Sequence, residues 1–240
     1  MLASNITIWG KKPKESIECG RYDLLLLAEH RQRGQGAHDM KKDLQRMGYR
    51  AVVGEAQRTE ADSTSGGTMI VFRRQFWVNG FGTKAGEQEE QVASWHFATS
   101  RWTLATLRLK GPTIVIGAVY LVTGIGPVGE NLQVLRELGE ALATIGRPFL
   151  VGGDWNMSPE ELESTGFLLQ CRALALKQAG VSSTCSLGKA GRVLDYFVAS
   201  QVVMGCWKLL AKRWRLLGGP MQQSPPRSTP ALAPSKFCSW

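Results

Sequence analysis

The sequence predicts an α/β or α+β domain over residues 1–200, followed over 201–240 by a tail of different character. Three observations predict it. Short apolar runs alternate with stretches of helical spacing through the first 200 residues. The chain is 43% hydrophobic and 20% charged, a balance that can bury a sizeable core and excludes global disorder. Composition then changes abruptly after Gln201.

The elements follow in order. Asn5–Trp9 (NITIW) reads as a strand and Tyr22–Ala28 (YDLLLLA) as a buried one. Asp39–Met47 has helical spacing, with Met40, Leu44 and Met47 on one face and Gly48 as its stop. Thr68–Phe72 (TMIVF) follows a Ser-Gly-Gly turn. Ser94–Leu109, rich in Trp, Thr and Phe, suits one strand or a bent pair. Thr113–Val122 (TIVIGAVYLV) is the clearest buried strand. A Gly/Pro loop then leads to an amphipathic helix from Glu130 to about Ile145, its Leu132, Leu135, Leu138 and Leu142 expected to pack on a sheet. Pro148–Val151 is a further buried strand. Ser158 before Pro159, Glu160 and Glu161 has the residues of a helix N-cap. Val193–Ala199 (VLDYFVA) is the last strand.

The tail holds five of the ten prolines and, from Gly218 on, the Pro/Ser-rich composition of a disordered segment. Its start, VVMGCWKLLAKRWRLL, has the spacing of a basic amphipathic helix, which could bind membranes, acidic partners or nucleic acid. It also carries most of the charge excess. Of a formal net charge of +9, six basic side chains and no acidic one lie in 201–240, leaving 23 basic against 20 acidic groups before it. No apolar run is long enough to span a bilayer, and no secretory signal is evident. Five scattered cysteines without a CxxC pair argue against a disulfide framework or a zinc site. Together these point to an intracellular protein, cytoplasmic or nuclear.

The segment PFLVGGDWNM (148–157) carries the most chemistry. A buried strand ending on two glycines delivers Asp154 and Asn156, two residues apart, to the carboxyl edge of a sheet, where α/β proteins often place their sites. Asp154 could accept a proton from water, and Asn156 could bond a phosphate oxygen. A plain turn, with both side chains bonded to their own backbone, is the alternative.

GDWN after an apolar strand resembles the GDFN motif of the endonuclease/exonuclease/phosphatase (DNase I-like) superfamily, and other motifs follow in the same order. Asn5 looks like the family's first-strand Asn. Glu29, ending YDLLLLAEH, looks like the metal-binding Glu of DxLxLQE, with Ala28 where Gln is usual. Ser65-Gly66-Gly67-Thr68 is similar to its SGG segment, and Tyr120 in GAVYL to the Tyr of N-x-Y. Asp195 in RVLDYFVAS looks like the Asp of R-I-D-Y-x-x-x-S, which in the family steadies the catalytic His. The resemblance covers roughly residues 3–200.

It implies a two-sheet sandwich flanked by helices, with the tail outside the match. It also implies divalent-metal-dependent phosphodiester hydrolysis, closest to retrotransposon or abasic-site endonucleases. Mg²⁺ (or Mn²⁺) would be held by Glu29 and Asn5. Asp154, Asn156, Tyr120 and Asp195 would form the catalytic set, acting on nucleic acid or another phosphodiester. Taken singly, Glu29 could be a surface acid, Tyr120 a core tyrosine and Asp195 a partner of Arg192.

One motif is missing. The family's closing Ser-Asp-His has no counterpart, since none of His30, His38 and His96 follows Asp195 and Pro226 stands where SPPRSTPAL would need the His. Alternation along a strand end turns His30 away from Glu29. An inactive descendant that binds nucleic acid or serves as a scaffold is therefore one alternative. Another is a dinucleotide-binding unit, because Gly124–Gly129 matches GxGxxG and Asp154 lies 25 residues beyond it.

Overall fold

The structure, a computed structural model, describes residues 1–20, 22–75, 78–80, 99–108, 112–177, 184 and 192–204. In chain order the elements are β1 (Leu2–Asn5), α1 (Lys11–Gly20), β2 (Leu24–Ala28), α2 (Gln35–Arg46), β3 (Tyr49–Gly54), β4 (Gln57–Arg58), β5 (Thr64–Ser65), β6 (Thr68–Arg73), β7 (Val78–Gly80), β8 (Trp102–Arg108), β9 (Thr113–Tyr120), α3 (Glu130–Ile145), β10 (Phe149–Asp154), α4 (Pro159–Ser164), α5 (Phe167–Gln170), β11 (Ala173–Leu176) and β12 (Asp195–Ser200).

Two sheets face each other. One has four strands in the order β1-β2-β6-β3, the other six in the order β11-β12-β10-β9-β8-β7. Side-chain alternation explains the layers. Leu24 and Leu26 of β2 and Ile70 and Phe72 of β6 point between the sheets, meeting Ala105, Leu107, Ile116, Ala118 and Phe197. Leu25, Leu27, Met69 and Val71 point the other way, under Ile17 of α1 and Met40 and Leu44 of α2. On the far side of the six-stranded sheet, Val115, Val119 and Val151 pack beneath Leu135, Leu138 and Leu142 of α3 and Phe167 of α5. The result is a helix–sheet–sheet–helix sandwich. The unbroken LLLL run needs no polar partner because both of its faces are covered.

Several predicted elements shift. β1 ends at Asn5 rather than continuing to Trp9: the Asn5 side-chain oxygen accepts the Thr7 backbone N–H at 2.8 Å, and Thr7 turns to φ 55°. α2 begins four residues early, at Gln35. In α3 the buried stripe runs through Val134, Leu135, Leu138, Ala141 and Leu142, while Leu132 is 43% exposed. Leu132 lies three and ten residues before Leu135 and Leu142, but Val134 and Ala141 pull the stripe's centre away from it. The N-cap at Ser158 is a full capping box: Ser158 Oγ accepts from Glu161 N at 3.2 Å, and Glu161 Oε2 accepts from Ser158 N at 2.6 Å. The first part of the predicted 94–109 strand, the tail beyond 204 and Pro226 lie outside the described residues; 201–204 are helical. No helix among the described residues is long and apolar enough to cross a membrane.

Candidate active site

The register of the strands gathers the polar residues at one end of the sandwich. β1 and β2 run parallel, with Asn5 opposite Ala28. β9 and β10 run parallel, with Tyr120 opposite Asp154, and β12 enters antiparallel, so that Asp195 lies opposite Asp154 on its other side. The carboxyl ends of four strands and the start of a fifth thus meet where the two sheets adjoin.

Asn5 joins the sheets. Its Nδ2 donates to Glu29 Oε2 at 3.0 Å and to Asp154 Oδ2 at 2.8 Å. Its Oδ1 is turned back onto the Thr7 backbone, so in this conformation Asn5 holds two carboxylates rather than presenting an oxygen to a cation. Glu29 follows β2 in the left-handed region, at φ 61°. Its other oxygen, Oε1, accepts from Arg31 Nε at 3.1 Å and pairs with Arg31 Nη2. Glu29, Asp154 and Asn156 are each 8% exposed.

Local chemistry places Asp154. At Gly153 a Cβ would lie 2.1 Å from the Val119 carbonyl oxygen, so only glycine lets β10 approach β9 this closely. Beyond it the side chains alternate. Trp155 turns into the core, stacked on Tyr196 at 5.6 Å with its Nε1 donating to Tyr196 O at 3.1 Å. Asp154 and Asn156 turn to the site, where Asp154 Oδ1 accepts the Asn156 N–H at 3.1 Å. Asn156 has φ 47°, a region Asn tolerates better than most residues. Its amide is engaged on both ends, donating to Leu121 O at 2.7 Å and accepting from Thr123 Oγ1 at 3.1 Å. It therefore pins the ends of β9 and β10 together.

Burial pushes the pKa of both Asp154 and Asp195 above the usual carboxylate range, and the Asp154 charge raises that of Asp195 further. Arg192, the alternative partner for Asp195, pairs with Glu161. Burial, then the Glu29 charge, raises the Tyr120 phenol. His30 is fully buried, away from this chemistry: its Nε2 donates to Gly54 O at 3.0 Å and its Nδ1 accepts the Gln32 N–H at 3.0 Å. The second glycine of the Ser-Gly-Gly turn packs against that ring. At Gly67, with φ 88°, a Cβ would meet the imidazole at 2.6 Å. His38 is exposed on α2 and His96 lies outside the described residues.

Sequence reasoning missed Arg101, just before β8. Its side chain is 11% exposed, its Nε donates to Glu130 Oε1 at 2.9 Å, and its guanidinium lies 5.5 Å from the Tyr120 ring centre. A lone SRW before a strand carries no motif, and the residue is made notable by partners 19 and 29 positions away.

The donors fit a hard cation. Glu29, Asp154 and Asp195 offer only oxygens, and Asp154 and Asp195 share one buried neighbourhood. Among the described residues no set of three or more His, Cys, Asp or Glu side chains forms a metal cage. Oxygen-only donors are the type that Mg²⁺ and Mn²⁺ take, with water and substrate oxygens filling the rest of the shell.

The Gly124–Gly129 loop does join β9 to α3 and the parallel β10. However, the acid a dinucleotide would need, Asp154, is bonded to Asn5 and Asn156, and buried Asn131 ties the loop to Val122 and Gly126.

This architecture, two packed sheets with helices outside, is a DNase I-like fold, shared with solved structures of endonucleases and of endonuclease/exonuclease/phosphatase family proteins. The fold matches the endonuclease domain of TRAS1, a telomere-specific non-LTR retrotransposon, at TM-score 0.58 and 14% identity over 84% of each chain. It also matches the AP endonuclease LMAP from Leishmania major at TM-score 0.55 and 14% identity, over 82% of this chain and 78% of that one. An endonuclease/exonuclease/phosphatase family protein from Leptotrichia buccalis matches at TM-score 0.50 and 14% identity, over 82% and 86%. No family model and no curated protein sequence matches the chain.

Proposed function

We propose that the domain is a divalent-metal-dependent phosphodiester hydrolase, nuclease-like in substrate. The observation that carries this reading is the single Asn5 amide nitrogen shared between Glu29 and Asp154, which draws a carboxylate from each sheet to one point. A structural role alone would not call for two nearly buried acids around one donor, since burying charge without full compensation is costly.

Glu29 would hold the cation, with Asp154 and Asp195 as neighbouring carboxylates, and the ion would supply charge neutralisation at the phosphate. Asp154 takes the proton of the attacking water, and its raised pKa brings it closer to the range in which a base works at neutral pH. Asn5 fixes the carboxylate that accepts this proton. Tyr120 donates a hydrogen bond from its hydroxyl to a non-bridging phosphate oxygen, and its raised pKa keeps the proton on the phenol. Asn156 sets the height of Asp154 against β9. Asp195, which in the resembling family steadies a histidine, here adds negative potential beside Asp154.

Supercoiled plasmid and abasic-site duplex, incubated with the full chain in Mg²⁺ and in Mn²⁺, test the reading. The wild-type protein should nick at least one of them, chelation should stop it, and Asp154→Ala should reduce it by about 10²-fold or more. Equal nicking by both proteins, or none by either, removes the hydrolase reading.

A further inference from the structure

We propose that Arg101 is a phosphate-binding cation of this site, its guanidinium taking a non-bridging oxygen beside Tyr120. This deepens the hydrolase reading and rests on it for the location of the phosphate. Two arginines flank the cluster, and they differ in how far they are committed. Arg31 spends Nε and Nη2 on Glu29 Oε1. Arg101 spends only Nε, on Glu130, and among the described residues neither of its Nη groups has an acceptor.

Its surroundings give it direction. The backbone carbonyl of Arg101 accepts the Tyr120 N–H at 2.8 Å, so the two residues are tied across β8 and β9. The guanidinium stacks over the Tyr120 ring, and Nη1 lies 3.5 Å from where a side chain at Gly66 would begin. The cation is thus wedged at the seam of the two sheets, over the ring of the tyrosine whose hydroxyl is assigned to the phosphate. A guanidinium offers paired N–H groups at a spacing that suits phosphate oxygens, and it stays charged at any working pH. Desolvating it without a full set of acceptors is costly. An incoming phosphate would supply what is missing.

Glu130 completes the device. Its carboxylate is 49% exposed, at the first position of α3. An ion pair with one partner so well hydrated is weak, so Glu130 can yield Arg101 to a phosphate and swing into water. It serves as a placeholder that keeps the arginine extended when the site is empty.

Calorimetric titration with inorganic phosphate in Mg²⁺, with the Arg101 Nε–H resonance followed by NMR, tests this directly. Phosphate should shift that resonance saturably. Arg101→Gln should weaken binding by about tenfold or more, Arg101→Lys by less, and Glu130→Gln should tighten it by about threefold. Absence of phosphate binding in wild type, or equal affinity in Arg101→Gln, overturns the proposal. If Arg101→Gln does not fold, unchanged affinity in Glu130→Gln overturns it as well. Arg101-dependent phosphate binding without Mg²⁺-dependent nicking would instead remove the hydrolase reading and leave this site standing.

Discussion

At the scale of single residues, the site and its nearest strut respond to acid in opposite directions. Neutral His30 uses both ring nitrogens, and burial pushes its pKa down to about 4. Between pH 6.5 and 4 the unfolded chain takes up a proton that the folded one refuses, so His30 makes stability fall as pH drops through that window, by about 3 kcal/mol in full. Asp154 and Asp195 have raised values, so the folded state binds their protons first and their contribution improves as pH falls from neutrality. Urea midpoints of wild type should therefore hold or rise from pH 7.5 to 5. In an Asp154→Asn, Asp195→Asn double variant they should fall steadily, because only the His30 slope is left. A flat profile in the double variant would show that His30 protonates without cost. Arg101 illustrates what residue-level reading of a sequence misses, because its role comes from Tyr120 and Glu130, each brought to it by the fold.

Among the elements, those the sequence makes legible have a local cause. The β2 run is buried on both faces, and α3 has a left-handed glycine C-cap and a long stripe. The turn into α4 carries its whole capping box within four residues. Ser158→Ala removes that box and should lower the urea midpoint by the equivalent of about 1 kcal/mol with an unchanged slope. The same variant should keep its metal-dependent nicking, since the box lies beyond Asn156. Elements that escaped notice lack such signals. α1 is Lys-rich and holds a proline at its third position, burying only Pro13 and Ile17. β3 has an exposed Arg50 in its second position and gains its strand character from pairing with β6 along its whole length. Asp154 and Asn156 were readable from one decapeptide, because strand, glycines and acid are contiguous. Asn5 and Glu29 were readable only as members of an ordered set. Their geometry then differed from the expectation for Asn5, whose oxygen is spent on the Thr7 turn that ends β1.

For the molecule as a whole, the charge separates into a nearly balanced domain and a basic tail. Deleting residues 205–240 removes six basic side chains and no acidic one. The truncated protein should keep its Mg²⁺-dependent phosphate binding and nicking. Its affinity for non-specific duplex DNA should fall, and the salt slope should shrink by up to about five if all six groups meet phosphates. Loss of both activities with the tail would favour the reading of a binding domain whose contacts lie outside the sandwich. One consequence follows from how the sheets divide the sequence. The four-stranded sheet is drawn entirely from residues up to Arg73 and the six-stranded sheet entirely from Val78 onward. Glu29 belongs to the first and Asp154 to the second, and Asn5 reaches across to clasp both. Neither half of the chain possesses the whole polar cluster. It comes into being only on their docking, so the proposed hydrolysis would act as a coincidence detector for correct assembly: a chain whose halves folded apart should be chemically silent.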